Sequence, residues 1–249
     1  MTHRYFAGTE GILILILSFS ILFARKAKDV KTTVIALALI ALLGVQVMLG
    51  MLTVTEKLKP IIVLSHLLTG LSILSFLWWA YLELPVHDDF FVKRSSPHII
   101  PWLWLAFLIV ALQITLGGWV STHYAGLACI DFPYCNGQLL PAIQLNNLNS
   151  DLITIHMLHR IGALVTAGYL GLLSLFLLSS SSFRSIAALL LALIALQVTL
   201  GILNIVWLRP VWLALIHHTV AIILLLTVIT ALVKAYFESR DNRYGSLLS

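Results

Sequence analysis

Nine histidines in a chain of 249 residues, only 10% of them charged, are the side chains here most able to do chemistry. Four of them recur by position. The run from Gln46 to His66, QVMLGMLTVTEKLKPIIVLSH, is answered by the run from Gln197 to His217, QVTLGILNIVWLRPVWLALIH. Gln, Leu-Gly, a basic residue ahead of Pro and a closing His keep their order, and Gln to His spans 20 residues in both. His3-Arg4 stands upstream of the first run and His159-Arg160 upstream of the second. Self-similarity of this kind marks a duplicated unit, here one with two histidines per copy.

Two imidazoles at one depth on facing helices form an axial pair for haem iron. Arg4 and Arg160 each follow one of these histidines at the water boundary, and a guanidinium binds carboxylate bidentately, which suits haem propionates. Gly50 and Gly201, four residues after each Gln, would leave room for a flat macrocycle. Two haems, one per copy, follow from the repeat. His217 is preferred to its neighbour His218 because Gln197 to His217 matches Gln46 to His66 without a gap, and a small residue, Gly70 or Ala221, then falls four positions on in both. A lone intramembrane histidine would more often simply hydrogen-bond a neighbouring helix. Zinc or copper needs further ligands of suitable type at each site, and none is within reach. His87 and His98 lie in the charged stretch ELPVHDDFFVKRSSPHI and read as solvated.

Such a set needs elements that hold it within a membrane. Hydrophobic residues make up 60% of the chain, and a charged fraction of 10% is far below the roughly 25% of soluble domains. Seven stretches reach the length of about 20 apolar residues that crosses a bilayer as helix: 5–24, 33–53, 60–82, 100–121, 152–178, 185–207 and 211–235. Unbroken apolar runs exclude a β-barrel, and the first stretch is too long, and lacks the cleavage site, for a signal peptide. The fold class is all-α integral membrane, built from duplicated four-helix-bundle units. Residues 1–99 hold three spans and 100–249 hold four. Lys and Arg in short loops mark the cytoplasmic side. Arg25, Lys26, Lys28, Lys31, Lys93, Arg94, Arg184, Lys234, Arg240 and Arg243 all fall on one side, so the N-terminus is expected outside and the C-terminus inside. The loop 122–150 has neither Lys nor Arg and lies outside. The net charge of +5 reflects this topology and speaks for no nucleic-acid partner.

Three features remain. Glu10 shares a helical face with His3, and an intramembrane carboxylate is a functional candidate, although Thr166 stands at the matching place in the second copy. The Gln-x-x-Leu-Gly pattern appears a third time as Gln113, Leu116 and Gly117, where the glycines serve either helix packing or the close approach of something broad. Cys129 and Cys135 are the chain's two cysteines and share the outer loop. That points to a disulfide, either a redox device or a structural staple, since two thiols alone fall short of a zinc site.

The stretches LGGWVSTHYAGLACIDFPYCNGQLLP, IHMLHRIGALV, QVTLGILN and HRYFAGTEGILIL together resemble the haem A synthase family. That resemblance implies eight transmembrane helices in two four-helix bundles related by pseudo-two-fold symmetry, a loop disulfide at Cys129 and Cys135, and four histidines at His3, His66, His159 and His217. It implies haem b as cofactor on His159 and His217 beside Arg160, and haem O as substrate on His3 and His66 beside Arg4. The implied reaction oxidises the C8 methyl of haem O by successive hydroxylation, and loss of water from a hydrated intermediate leaves the formyl group. The implied setting is cytochrome oxidase assembly in a bacterial inner membrane, with haem O synthase, an electron donor, membrane lipid and a possible second copy as partners. Members begin with a helix, an extracytoplasmic loop and a carboxylate ahead of the HRYFAGT segment. This chain is therefore expected to lack its first transmembrane helix and that family acid, which would impair activity. The competing reading is a non-catalytic di-haem b-type membrane protein that carries electrons or hands haem to an assembly partner.

Overall fold

The computed structural model describes residues 2–23, 30–83 and 97–245. Among them are seven long helices and no strand: α1 (Thr2–Phe23), α2 (Val30–Thr55), α3 (Pro60–Leu82), α4 (Ile100–Thr122), α5 (Leu152–Leu178), α6 (Arg184–Val206) and α7 (Val211–Gly245). Each carries an apolar stretch of 21 to 27 residues. At about 1.5 Å per residue that spans the roughly 30 Å of a bilayer's hydrocarbon. The chain is an all-α integral membrane protein. Arg25, Lys26, Lys28, Lys93, Arg94 and His87 lie outside the described residues, while His98 is exposed on a short 3₁₀ turn.

Helix is the state these segments must adopt, because in lipid every backbone N–H and C=O has to be satisfied within the segment. Most hydroxyls inside the spans follow the same rule, with Ser18 and Ser174 as buried exceptions. Thr69, Ser72, Thr115, Thr166, Thr199 and Thr219 each donate to the carbonyl four residues back on their own helix. Starts are signalled locally. Pro60 and Pro101 sit in the first turn of α3 and α4, where a missing N–H costs nothing. Asp151 caps α5 by accepting from the amides of Ile153 and Thr154 at 3.3 Å.

The duplication seen in the sequence is expressed in the backbone residue for residue. In the turn from α2 to α3, Leu58 N donates to Thr53 O at 2.9 Å and the consecutive residues Lys57 and Leu58 are left-handed (φ 50° and 59°). In the turn from α6 to α7, Arg209 N donates to Asn204 O at 2.7 Å and Leu208 and Arg209 are left-handed (φ 57° and 55°). Every one of these positions is related by the offset that carries Gln46 onto Gln197.

The chain divides into two compact units, Met1–Leu84 and Pro85–Ser249. In the first, α1 packs on α2 and α2 on α3, an open row. Its core is Ile14, Ile35, Leu39 and Ile73, toward the end of the row remote from His3 and His66. In the second, α4 packs on α5, α5 on α6, α6 on α7 and α7 back on α4, a closed ring of four. Leu170, Leu177, Phe183, Leu190, Val228 and Leu232 are fully buried within it. Trp104 Nε1 donates to Tyr236 Oη at 2.9 Å and Tyr169 Oη to Trp102 O at 2.8 Å, tying α4 to both of its neighbours.

Candidate functional site

The ring of the second unit alternates two residue types. Gln113 stands on α4, His159 on α5, Gln197 on α6 and His217 on α7, so the histidines occupy helices that face each other across the ring. Each imidazole is held by the glutamine of the preceding helix. Gln113 Nε2 lies 3.0 Å from His159 Nδ1 and donates to His159 O at 3.0 Å. Gln197 Nε2 lies 3.3 Å from His217 Nε2. Residues four apart share a helical face, so the glycine that follows each glutamine meets the same ring. A β-carbon on Gly117 would come within 3.1 Å of His159 Cε1, and one on Gly201 within 3.3 Å of His217 Cε1. The space at Gly201 is thus filled by an imidazole edge, where the sequence suggested room for a macrocycle. The structure brings His217 to Gln197 and Gly201, and does not bring His218 there.

Both rings keep one nitrogen without a partner. His217 Nδ1 is buried with no hydrogen bond, and His159 is engaged through Nδ1 alone, which leaves Nε2 open. Two half-buried imidazoles on opposed helices, each with a nitrogen to spare, have the donor set that a haem iron takes as ligands. Among the described residues, no three or more His, Cys, Asp or Glu side chains converge as they would around a bare metal ion.

The first unit repeats the contact once. Gln46 Nε2 lies 3.5 Å from His66 Nε2, a β-carbon on Gly50 would come within 3.3 Å of His66 Cε1, and His66 Nδ1 is buried and unpartnered. The room at Gly50 is therefore also taken by an imidazole. His3, Arg4 and Glu10 are exposed on α1. They make no hydrogen bond or ion pair among the described residues.

The outer loop is built onto the start of α5. Cys129 and Cys135 form a disulfide that is buried against Ile153 and Met157. Arg160 holds the loop from the same helical face. Its Nη1 donates to Tyr134 O at 2.8 Å, and its Nη2 to Cys129 O and Asp131 O, both at 3.1 Å. Its Nε donates to His156 Nε2 at 3.2 Å. One of the five guanidinium donors remains. Inside the disulfide ring the Asp131 carboxylate accepts from the amides of Asn136 at 2.6 Å and Gly137 at 2.9 Å, where φ is +52° and +80°. The Gly137 amide is the main reason that the Asp131 carboxyl lies below its ordinary 3.8, with Asn136 and Arg160 adding to it and partial desolvation opposing.

Sequence reading singled out the four histidines, both arginines and both cysteines, but missed three partners. Asp131 carried no periodic signal. His156 was visible only as a residue on the face of His159. The glutamines were seen as a pattern, and their recurrence four residues before a glycine in three places was the available signal for a paired grip on a ring.

The sequence matches the family described as cytochrome oxidase assembly protein (COX15-CtaA) over residues 1–229. It is 36% identical to a haem A synthase of Shewanella oneidensis, over 92% of this chain and 74% of that protein. A haem A synthase of Wolbachia pipientis is 28% identical over 89% of this chain and 69% of its own. One from Erythrobacter litoralis is 31% identical over 66% of this chain and 49% of its own.

Proposed function

This chain belongs to the cytochrome oxidase assembly protein family, and we propose that its role there is haem A synthesis, as an oxidoreductase that converts the C8 methyl of haem O to a formyl group. The observation that carries this reading is the alternating ring of Gln113, His159, Gln197 and His217, with an unpartnered nitrogen on each histidine. His159 and His217 would hold haem b as axial ligands. A haem b so held supplies reversible one-electron transfer. His3 and His66, with Arg4 beside the first, would hold haem O as substrate. The chain's part is to fix the substrate's edge, limit water at the half-buried imidazoles of His66, His159 and His217 and keep the ligating nitrogens free of protein partners. Arg160 holds the disulfide loop over this end of the ring, with one N–H left for a carboxylate of the haem. The loop and N-terminus would face outward and the C-terminus the cytoplasm of a bacterial plasma membrane, with a haem O synthase and a membrane electron donor as partners. That orientation is supported by the absence of Lys and Arg from residues 122–150.

The exposure of His3 and Arg4 favours a second reading, a b-type haem protein of the membrane that carries electrons or haem without oxidising it. Expression in a host lacking its own synthase, followed by haem extraction and chromatography, separates the two. Haem A formed from haem O supports the enzyme. Haem b alone supports the carrier.

A further inference from the structure

We infer that Gln113 and Gln197 are positioning residues that fix the ring orientation and lower the reduction potential of a haem held by His159 and His217, and that Gln46 does the same for His66. The inference rests on the haem reading above. Its observations are independent of it.

A carboxamide meets an imidazole in all three places, always from the helix before and always four residues ahead of the glycine that faces the ring edge. Packing alone would be served by any apolar side chain of that size, and in a membrane a buried amide is a costly choice. The cost is visible. Gln46 Oε1, Gln113 Oε1 and Gln197 Oε1 are all buried without a hydrogen-bond partner. Three orphaned acceptors lie beside three half-satisfied imidazoles, with Nε2 toward the glutamine in His66 and His217 and Nδ1 toward it in His159, and one cause accounts for all three.

A neutral imidazole carries one proton. When one nitrogen is given to a metal, that proton sits on the other, and outer-shell acceptors for it fix the ring and raise the basicity of the ligand. In each ring here one nitrogen faces the glutamine and the other has no partner. The terminal torsion of glutamine is soft and roughly two-fold, so the orphaned Oε1 can turn to the ring N–H. A more electron-rich imidazole favours the ferric state, so each glutamine lowers the potential. Gln113 stands closer to its ring, 3.0 Å from His159 Nδ1, than Gln197 does at 3.3 Å from His217 Nε2. Gln113 therefore has the larger effect. The close approach is made possible by Gly162, where any β-carbon would collide with Gln113 Oε1.

The test is an equilibrium redox titration of the b-type absorbance of the purified full chain, with electron paramagnetic resonance of the ferric form. Gln113→Met keeps the volume and removes the amide. It should raise the midpoint potential, shift the low-spin signal and weaken haem retention about tenfold or more. Gln113→Glu keeps an acceptor and should return retention and bring the potential to the parent's value or below. Gln197→Met should shift the potential in the same direction by less, and it carries the test alone if Gln113→Met does not accumulate in the membrane. An unchanged or lowered potential in the Met variants overturns the inference. A parent chain whose spectrum is indifferent to His159→Ala overturns the haem reading itself, a result distinct from the first.

Discussion

The two units place the same grip in different enclosures. In the hairpin of α2 and α3 and in the hairpin of α6 and α7, Gln, Gly and His meet at distances within 0.2 Å of one another, and the connecting turns share their backbone bonds except that from Lys59 N to Glu56 O, whose counterpart Pro210 has no N–H. Yet the apolar stretches of α4 to α7 are 28 to 61% buried, with α7 the most, against 11 to 22% for α1 to α3. The grip is local to a helical hairpin and forms in an open row as well as in a ring. Enclosure is a property of ring closure, and the second unit has it. A site that needs only orientation can be built from two helices, whereas one that must hold a large apolar cofactor out of lipid and water needs all four sides.

The largest expected effect breaks that parallel at its tightest contact. Gly117→Ala pushes a methyl against His159 Cε1, which would sit 3.1 Å away, so the ring must shift. Haem retention by the second unit should fall about tenfold to a hundredfold, while the helix itself, relieved of a glycine, gains rather than loses propensity. Gly50→Ala, in the open row, should leave that haem untouched. Absorbance per chain after gel filtration reads both variants.

Next in size is the disulfide loop of the second unit. Arg160→Ala removes three bonds to loop carbonyls and one to His156. Loop opening should become easier by about 1.5 kcal/mol, read as roughly tenfold faster reduction of the Cys129–Cys135 disulfide by a small thiol. A rate equal to the parent's would show that packing on Ile153 and Met157 holds the loop unaided.

Closure of the ring at its other end is tested by Tyr169→Phe, which deletes the bond to Trp102 O. A loss of about 1 kcal/mol should bring forward the thermal loss of helical circular dichroism without moving the haem spectrum. The smallest effect concerns pH. Because Gly137 and Asn136 hold the Asp131 carboxyl below 3.8 in the folded loop, its contribution is present in full above that value. It is lost only as pH falls through the lower folded value. Disulfide accessibility should stay flat from neutrality into mild acid and rise beyond it, and Asp131→Asn should abolish the rise.

Much of this was legible because long apolar runs leave little choice. The stretch expected at 152–178 is the observed α5, and the one expected at 185–207 is α6 displaced by one residue. α7 runs to Gly245, past the expected 235, because apolar length marks only where a membrane span ends and does not end the helix's own hydrogen bonding. The disulfide and the choice of His217 over His218 for the Gln197 contact could also be read from loop content and register. What the sequence could not show was direction across the helix. Neighbours in a helix point about 100° apart, so Arg160, next to His159 in the chain, turns to the cysteine loop instead of following that ring. Spacing also told that Gln and Gly share a face, but not that the neighbour opposite would be an imidazole.

We propose that the ring of α4 to α7 holds a haem between His159 and His217. Low-temperature electron paramagnetic resonance of the purified full chain tests it most directly, because two imidazole ligands give ferric haem a low-spin signature. The parent chain should show that signature, His159→Ala and His217→Ala should both lose it, and His218→Ala should keep it. A signal that survives His217→Ala and disappears with His218→Ala would contradict it.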